Sequence, residues 1–202
     1  MIKNIVLDIG GILFDDSKSN VEKLLHKNCD TIYKKTYGGN FKECLIGNMS
    51  VKEHLELLKD DEDYQDIKYL LQNLSLATPL MKENYEYIKS LKEKGYHLYL
   101  LSNITEDSFQ YINKVLDLSH FVDGGVYSYQ EHVKKPEHTI YQTVLKRFHL
   151  DPKETIFFDD KLKNVVAANE SGLPSIEFKS IETLKNFIEK EEKGIILENY
   201  KF

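Results

Sequence analysis

Ile5-Val6-Leu7-Asp8-Ile9-Gly10-Gly11 combines, in seven residues, an unbroken apolar run with an acid and two glycines where that run stops. A run with no polar alternation has no face to offer to water, which is the pattern of a parallel strand buried on both sides. Short runs mostly unbroken by polar residues return at Leu98-Tyr99-Leu100-Leu101, Val126-Tyr127, Ile156-Phe157-Phe158 and Ser175-Ile176-Glu177-Phe178. Between the runs apolar residues fall at helical spacing: Met81, Tyr85, Ile88 and Leu91; then Phe109, Ile112 and Leu116; then Ile140, Val144 and Phe148, with Tyr141 and Leu145 beside them. Strand and helix alternate, and each connection is long enough for a crossover helix. The sequence therefore predicts an α/β fold built on an open, doubly wound parallel sheet.

The stretch from about Asp16 to Thr78 breaks the alternation and reads as helices alone. Val21, Leu24 and Leu25 belong to one, and Leu55 and Leu58 to a second that opens with the capping box Ser50-Val51-Lys52-Glu53. Ile67, Leu70, Leu71 and Leu74 mark a third. So much helix between the first strand and the rest of the sheet makes a subdomain rather than a loop, with Pro79 marking the return. The expected division is residues 1–15 and 79–202 for the α/β core and 16–78 for a small α-helical unit. Phe187 to Lys193 is charged enough to predict an exposed last helix, and Ile195 to Phe202 is apolar enough to pack back.

Composition narrows the function. With 33 acidic against 27 basic residues and a formal net charge of −6, the chain offers no basic field for a nucleic-acid backbone. No apolar run has the length of a membrane span, and the N-terminus breaks off too early for a signal peptide. Cys29 and Cys44 make no disulfide framework and no Cys-x-x-Cys pair, which fits a reducing, cytoplasmic setting. The histidines, His26, His54, His132 and His138 among them, show no metal-ligand spacing and read as solvated or core residues.

In an open parallel sheet ligands bind beyond the carboxyl ends of the strands. Asp8 follows the first run, Ser102-Asn103 the second and Asp159-Asp160 the fourth. Brought to one rim, three carboxylates and a hydroxyl suit Mg²⁺ and a phosphate better than an apolar ligand.

These residues also resemble the haloacid dehalogenase superfamily. Ile5 to Asp15 is similar to its first motif, Leu100-Leu101-Ser102-Asn103 to the second and Lys135-Pro136-Glu137 with Ile140-Tyr141 to the third. Phe157-Phe158-Asp159-Asp160 with Asn164, Ala167, Ala168 and Gly172 is similar to the fourth. The nearest branch looks like the sugar-phosphate phosphatases with an Asp-x-Gly first motif and an α-helical cap, so the resemblance implies a Rossmann-like core with residues 16–78 as the cap. It implies a Mg²⁺-dependent phosphatase acting on a small phosphorylated metabolite, with Asp8 as nucleophile passing through an aspartyl phosphate. Ser102 and Asn103 would bind the phosphoryl group, and Lys135, preferred to Lys134, would neutralise its charge. Asp8, the Gly10 carbonyl and Asp160 would hold the metal, with Asp159 helping directly or through water. Asn164 would orient ligands or water, and Tyr37 beside Gly38-Gly39 would face the substrate.

Gly10 departs from the pattern, since most phosphatases of this superfamily carry there a second Asp that serves as general acid and base. Losing such a group typically removes about 10²- to 10⁴-fold in rate. Substrates with good leaving groups, another acid such as Asp15, Asp16 or a cap residue, or vestigial hydrolysis would each account for it. Two other functions compete. A metal-independent haloacid dehalogenase would tolerate Gly10 but not the negative charge of Asp159 and Asp160. A noncatalytic phosphometabolite-binding protein would need less than Asp8, Ser102, Lys135 and Asp160 together.

Overall fold

The computed structural model describes residues 1–194, so the Ile195 to Phe202 tail lies outside the described residues. Five parallel strands form one sheet: β1 (Asn4–Leu7), β2 (His97–Ser102), β3 (Gly124–Tyr127), β4 (Thr155–Asp159) and β5 (Ser175–Glu177), in the order β3-β2-β1-β4-β5. In the register, Leu7 lies beside Leu100 on one side and Phe158 on the other. The chain winds from β1 through β2 to β3 in one direction and then crosses to β4 on the far side of β1. The topological switch point therefore falls between β1 and β4, where a ligand crevice opens beyond their carboxyl ends.

Alternate side chains of each strand feed two cores. Ile5, Leu7, Leu98, Leu100, Ile156 and Phe158 pack on one face, and Val6, Tyr99, Leu101 and Phe157 on the other. Burial on both faces is why these strands read as continuous apolar runs.

Six helices follow β1: α1 (Lys18–Leu25), α2 (Asp30–Tyr37), α3 (Phe41–Leu45), α4 (Val51–Leu57), α5 (Tyr64–Gln72) and α6 (Leu74–Ala77). They share a third apolar cluster that includes Val21, Ile32, Phe41, Ile67 and Leu70. The Ser50 capping box is formed, with the hydroxyl accepting from the Glu53 amide at 3.1 Å and the Glu53 carboxylate accepting from the Ser50 amide at 2.8 Å. The chain leaves and re-enters the sheet region side by side, since Phe14 bridges Leu80 and the Asp15 amide donates to the Pro79 carbonyl at 3.0 Å.

Helices α7 (Lys82–Glu93), α8 (Glu106–Leu116), α9 (Leu118–Phe121), α10 (Ser128–Glu131), α11 (His138–Arg147), α12 (Leu162–Glu170) and α13 (Ile181–Glu192) flank the sheet. The expected exposed last helix is corrected here. α13 begins at Ile181 and buries Leu184, Phe187 and Ile188, and even Glu191 is buried, where it accepts from the Ile2 amide at 2.8 Å. The charged residues of Phe187 to Lys193 hid an apolar stripe that starts six residues earlier.

Candidate active site

Asp8, Ser102 and Asp159-Asp160 stand at the carboxyl ends of β1, β2 and β4, neighbours in the sheet, so the rim anticipated from sequence is assembled. Lys135 reaches it from the segment between α10 and α11. Its side chain is 1% exposed, and its ammonium lies 2.8 Å from Asp8 Oδ2, 2.6 Å from Asp159 Oδ2 and 2.9 Å from the Leu101 carbonyl. Those partners occupy the three donors of the group. Asn103 fixes this approach by accepting from the Lys135 amide at 2.8 Å and donating to the Lys135 carbonyl at 2.9 Å. Its side chain is thereby engaged with protein and positions Lys135.

Burial alone would raise the pKa of Asp8. The charges of Lys135 and Lys161, with hydrogen bonds from Lys135 and Ser102, outweigh it and hold the carboxyl below its ordinary value. The Ile9 amide adds a donor to Asp8 Oδ1 at 2.7 Å. Asp8 is thus held as an anion 4% exposed to solvent, the form in which a carboxylate can attack rather than donate a proton.

The adjacent acids divide the work. Both oxygens of Asp159 are engaged: Oδ1 accepts from the Lys161 amide at 2.8 Å and Asn164 Nδ2 at 2.9 Å, and Oδ2 from Lys135 and again Asn164. Asp160 Oδ1, in contrast, is buried with no hydrogen-bond donor, as is Asn164 Oδ1. Burial pushes the Asp160 carboxyl up to about 6, against the pull of Lys161. Ligand oxygens of Asp8, Asp159 and Asp160 lie within 4.8 Å of one another. Buried acceptors without donors beside clustered carboxylates fit a hard divalent cation, which takes oxygen ligands.

The turn after β1 supports this arrangement through two glycines. Gly11 has φ +70°, and a Cβ there would lie 2.7 Å from Asp160 Cγ. At Gly10 a Cβ would lie 2.6 Å from Asp16 Oδ2, so the space a side chain at position 10 would enter is filled by Asp16. Partial desolvation beside the cavity wall, with the side chain still 45% exposed, and the charges of Asp8 and Asp15 raise the Asp16 pKa, with Lys161 opposing them from 3.9 Å. Asp15 is employed elsewhere, its carboxylate accepting from the Ser17 amide at 3.1 Å.

Above the rim lies a cavity of about 330 Å³ whose floor includes Asp8, Gly10, Ser102 and Lys135. The inserted helices supply Tyr33, Tyr37 and Phe41 to its wall, the rings of Tyr33 and Tyr37 lying 4.9 Å apart and those of Tyr37 and Phe41 5.2 Å apart. Tyr37 is the last residue of α2 and does line this cavity, whereas Lys134 stays outside it.

Sequence reasoning passed over Lys161, whose charge bears on Asp8, Asp16, Asp159 and Asp160. Its signal was its place directly after the Asp159-Asp160 pair.

Residues 2–172 match the family model for haloacid dehalogenase-like hydrolases. The chain is 29% identical over 192 residues to a D-ribitol-5-phosphate phosphatase of Bacteroides thetaiotaomicron, covering 88% of this chain and 92% of that one. It is 24% identical to a phosphorylated carbohydrates phosphatase of Thermotoga maritima, covering 85% and 82%. Its fold matches the magnesium complex of a haloacid dehalogenase family enzyme from Bacteroides thetaiotaomicron, with a TM-score of 0.76, 22% identity and coverage of 93% and 98%.

Proposed function

The chain belongs to the haloacid dehalogenase-like hydrolases, and from that premise we propose that it is a Mg²⁺-dependent phosphatase of a small phosphorylated metabolite, a sugar phosphate being one candidate. The observation that carries this reading is Asp8 itself. It is an ionised carboxylate on a cavity floor, ion-paired to a buried lysine and beside a second acid whose buried oxygen lacks a donor.

Asp8 attacks phosphorus in line with the ester oxygen, the phosphorus–oxygen ester bond breaks, and the phosphoryl group is carried on the aspartate until water releases it. Lys135 stays between Asp8 and Asp159 and offsets negative charge as it gathers. The Ser102 hydroxyl turns from Asp8 to donate to a phosphoryl oxygen without adding charge. Asp8, Asp160 and the Gly10 carbonyl would hold the Mg²⁺, with Asp159 keeping Lys135 and Asn164 in place. The bound ion supplies positive charge against the phosphoryl oxygens. Residues 16–78 serve as a cap whose aromatic wall contacts the body of the substrate and excludes water.

The test is phosphate release from a panel of sugar, nucleotide and acyl phosphates, with and without Mg²⁺. Release is expected to require the ion and to vanish in Asp8→Asn while circular dichroism shows an intact fold. Phosphate release undiminished in Asp8→Asn would sink the nucleophile assignment.

A further inference from the structure

We propose that Asp16 is the catalytic proton donor and acceptor of this site, delivered from the start of the inserted helical unit into the space that Gly10 leaves open. The inference rests on the phosphatase reading and assigns the one step that reading leaves without a residue.

An alkoxide is a poor leaving group, so cleavage of an alkyl phosphate needs a proton delivered to the ester oxygen. The other acids around the nucleophile, and Lys135, are committed, and Lys161, which also lines the cavity, has its ammonium shared between Asp16 and Asp160 at 3.9 Å each. Lys135 has its three donors on Asp8, Asp159 and the Leu101 carbonyl. Both oxygens of Asp159 are engaged, and Asp160 is the acid placed for the cation. Asp15 is tied to the Ser17 amide and is not among the cavity-lining residues.

Asp16 lines the cavity, and its side chain is 45% exposed, so the carboxyl is open to a ligand. Its position is specific: Oδ2 stands 2.6 Å from where a Cβ on Gly10 would be, two residues from the nucleophile. Gly10 and Asp16 are thus complementary, since a larger residue at position 10 would displace the Asp16 carboxylate from this place.

The step balances without a further reagent. As Asp8 forms its bond to phosphorus, the ester bond breaks and the leaving oxygen takes the proton of the Asp16 carboxyl, departing as an alcohol. The Asp16 carboxylate then accepts a proton from water as that water attacks phosphorus. The phosphorus–Asp8 bond breaks, inorganic phosphate leaves, and Asp8 carboxylate and Asp16 carboxyl are both restored.

The experiment compares leaving groups in the unmodified enzyme, Asp16→Asn and the control Asp15→Asn, all with Mg²⁺. In Asp16→Asn, kcat/KM for glycerol 3-phosphate, an alkyl ester, should fall by about 10²- to 10⁴-fold. With 4-nitrophenyl phosphate and acetyl phosphate, whose leaving groups need no proton, the fall should be under about tenfold. Because water activation is also lost, this variant should release about one equivalent of 4-nitrophenol in a burst and then slow. Asp15→Asn should retain the unmodified pattern.

An equal loss across the three substrates, or no loss, overturns the assignment, as does a leaving-group-selective loss in Asp15→Asn. Unmodified enzyme that turns over acetyl phosphate but no alkyl phosphate overturns it too, with the phosphatase reading intact. Release from none of the substrates by folded, Mg²⁺-loaded enzyme overturns the phosphatase reading, and the Asp16 assignment with it.

Discussion

Lys135 shows how tightly stability and chemistry are joined in this site. Its ammonium is held against two buried carboxylates in a place where water cannot replace it. Removing one partner of such a cluster leaves uncompensated charge, which costs about 3–5 kcal/mol. Lys135→Met should therefore lower the free energy of urea unfolding by an amount in that range. Adding Asp8→Asn should recover part of the loss, and a double-mutant cycle measures the coupling. Gly11 is constrained from two sides, by its left-handed φ of +70° and by Asp160, whose Cγ would lie 2.7 Å from a Cβ. Gly11→Ala should cost roughly 1–2 kcal/mol from the backbone alone. By displacing Asp160 it should also raise the Mg²⁺ concentration needed for half-maximal activity, measured by metal titration.

At the scale of elements, α4 is joined to α2 through His54, which is 2% exposed and has Nε2 3.0 Å from the Thr36 carbonyl. Burial depresses its pKa below 6.5, the Thr36 carbonyl opposing this only in part. A base with a depressed folded pKa stays neutral in the native protein while the unfolded chain takes up a proton. Its contribution is thus intact above about pH 6.5 and is lost as pH falls below that value. Unfolding free energy compared at pH 7.5 and 5.5 should drop more in the unmodified protein than in His54→Gln, the difference bounded by about 1.4 kcal/mol per pH unit. How visible an element was in the sequence follows from the same physics. β1, β2 and β4 were legible because burial on both faces leaves them without polar alternation, whereas the edge strands β3 and β5 gave shorter, partly exposed signals. α2 was not, because Asp30–Tyr37 buries only Ile32 and Thr36 and otherwise presents polar side chains and two half-buried tyrosines. The clustering of Asp8, Asp159 and Asp160 followed from strand ends, and the place of Lys135 beside them from motif spacing. The reach of Asp16 to Gly10 did not, because it depends on the path of the chain through residues 9–15, where Leu13 and Phe14 amides turn back onto the Ile9 carbonyl.

Taken whole, the molecule gathers Asp8, Asp16, Asp159 and Asp160 around two cations, Lys135 and Lys161, at the junction of the sheet with the inserted helices. Even with Asp16 carrying its proton, three carboxylates against two lysines leave an excess of negative charge that an added divalent ion offsets. Binding to the folded chain alone raises stability by RT ln(1 + [L]/Kd), about 2.7 kcal/mol at a hundredfold excess over Kd. Mg²⁺ should therefore raise the thermal midpoint in a concentration-dependent way, and EDTA should reverse the shift while abolishing phosphate release. Asp160→Asn should remove most of that response without unfolding the chain, because Asp160 Oδ1 accepts no hydrogen bond and its neutralisation relieves repulsion from Asp8, Asp159 and Asp16. The same pair of measurements separates the competing chemistries. A dehalogenase uses the aspartate against carbon and expels halide without metal, so its turnover would survive EDTA. A phosphometabolite-binding protein would keep the Mg²⁺-dependent midpoint shift and release no phosphate. Only a metal-dependent phosphatase loses thermal stabilisation and turnover together when the ion is withdrawn and regains both when it is restored.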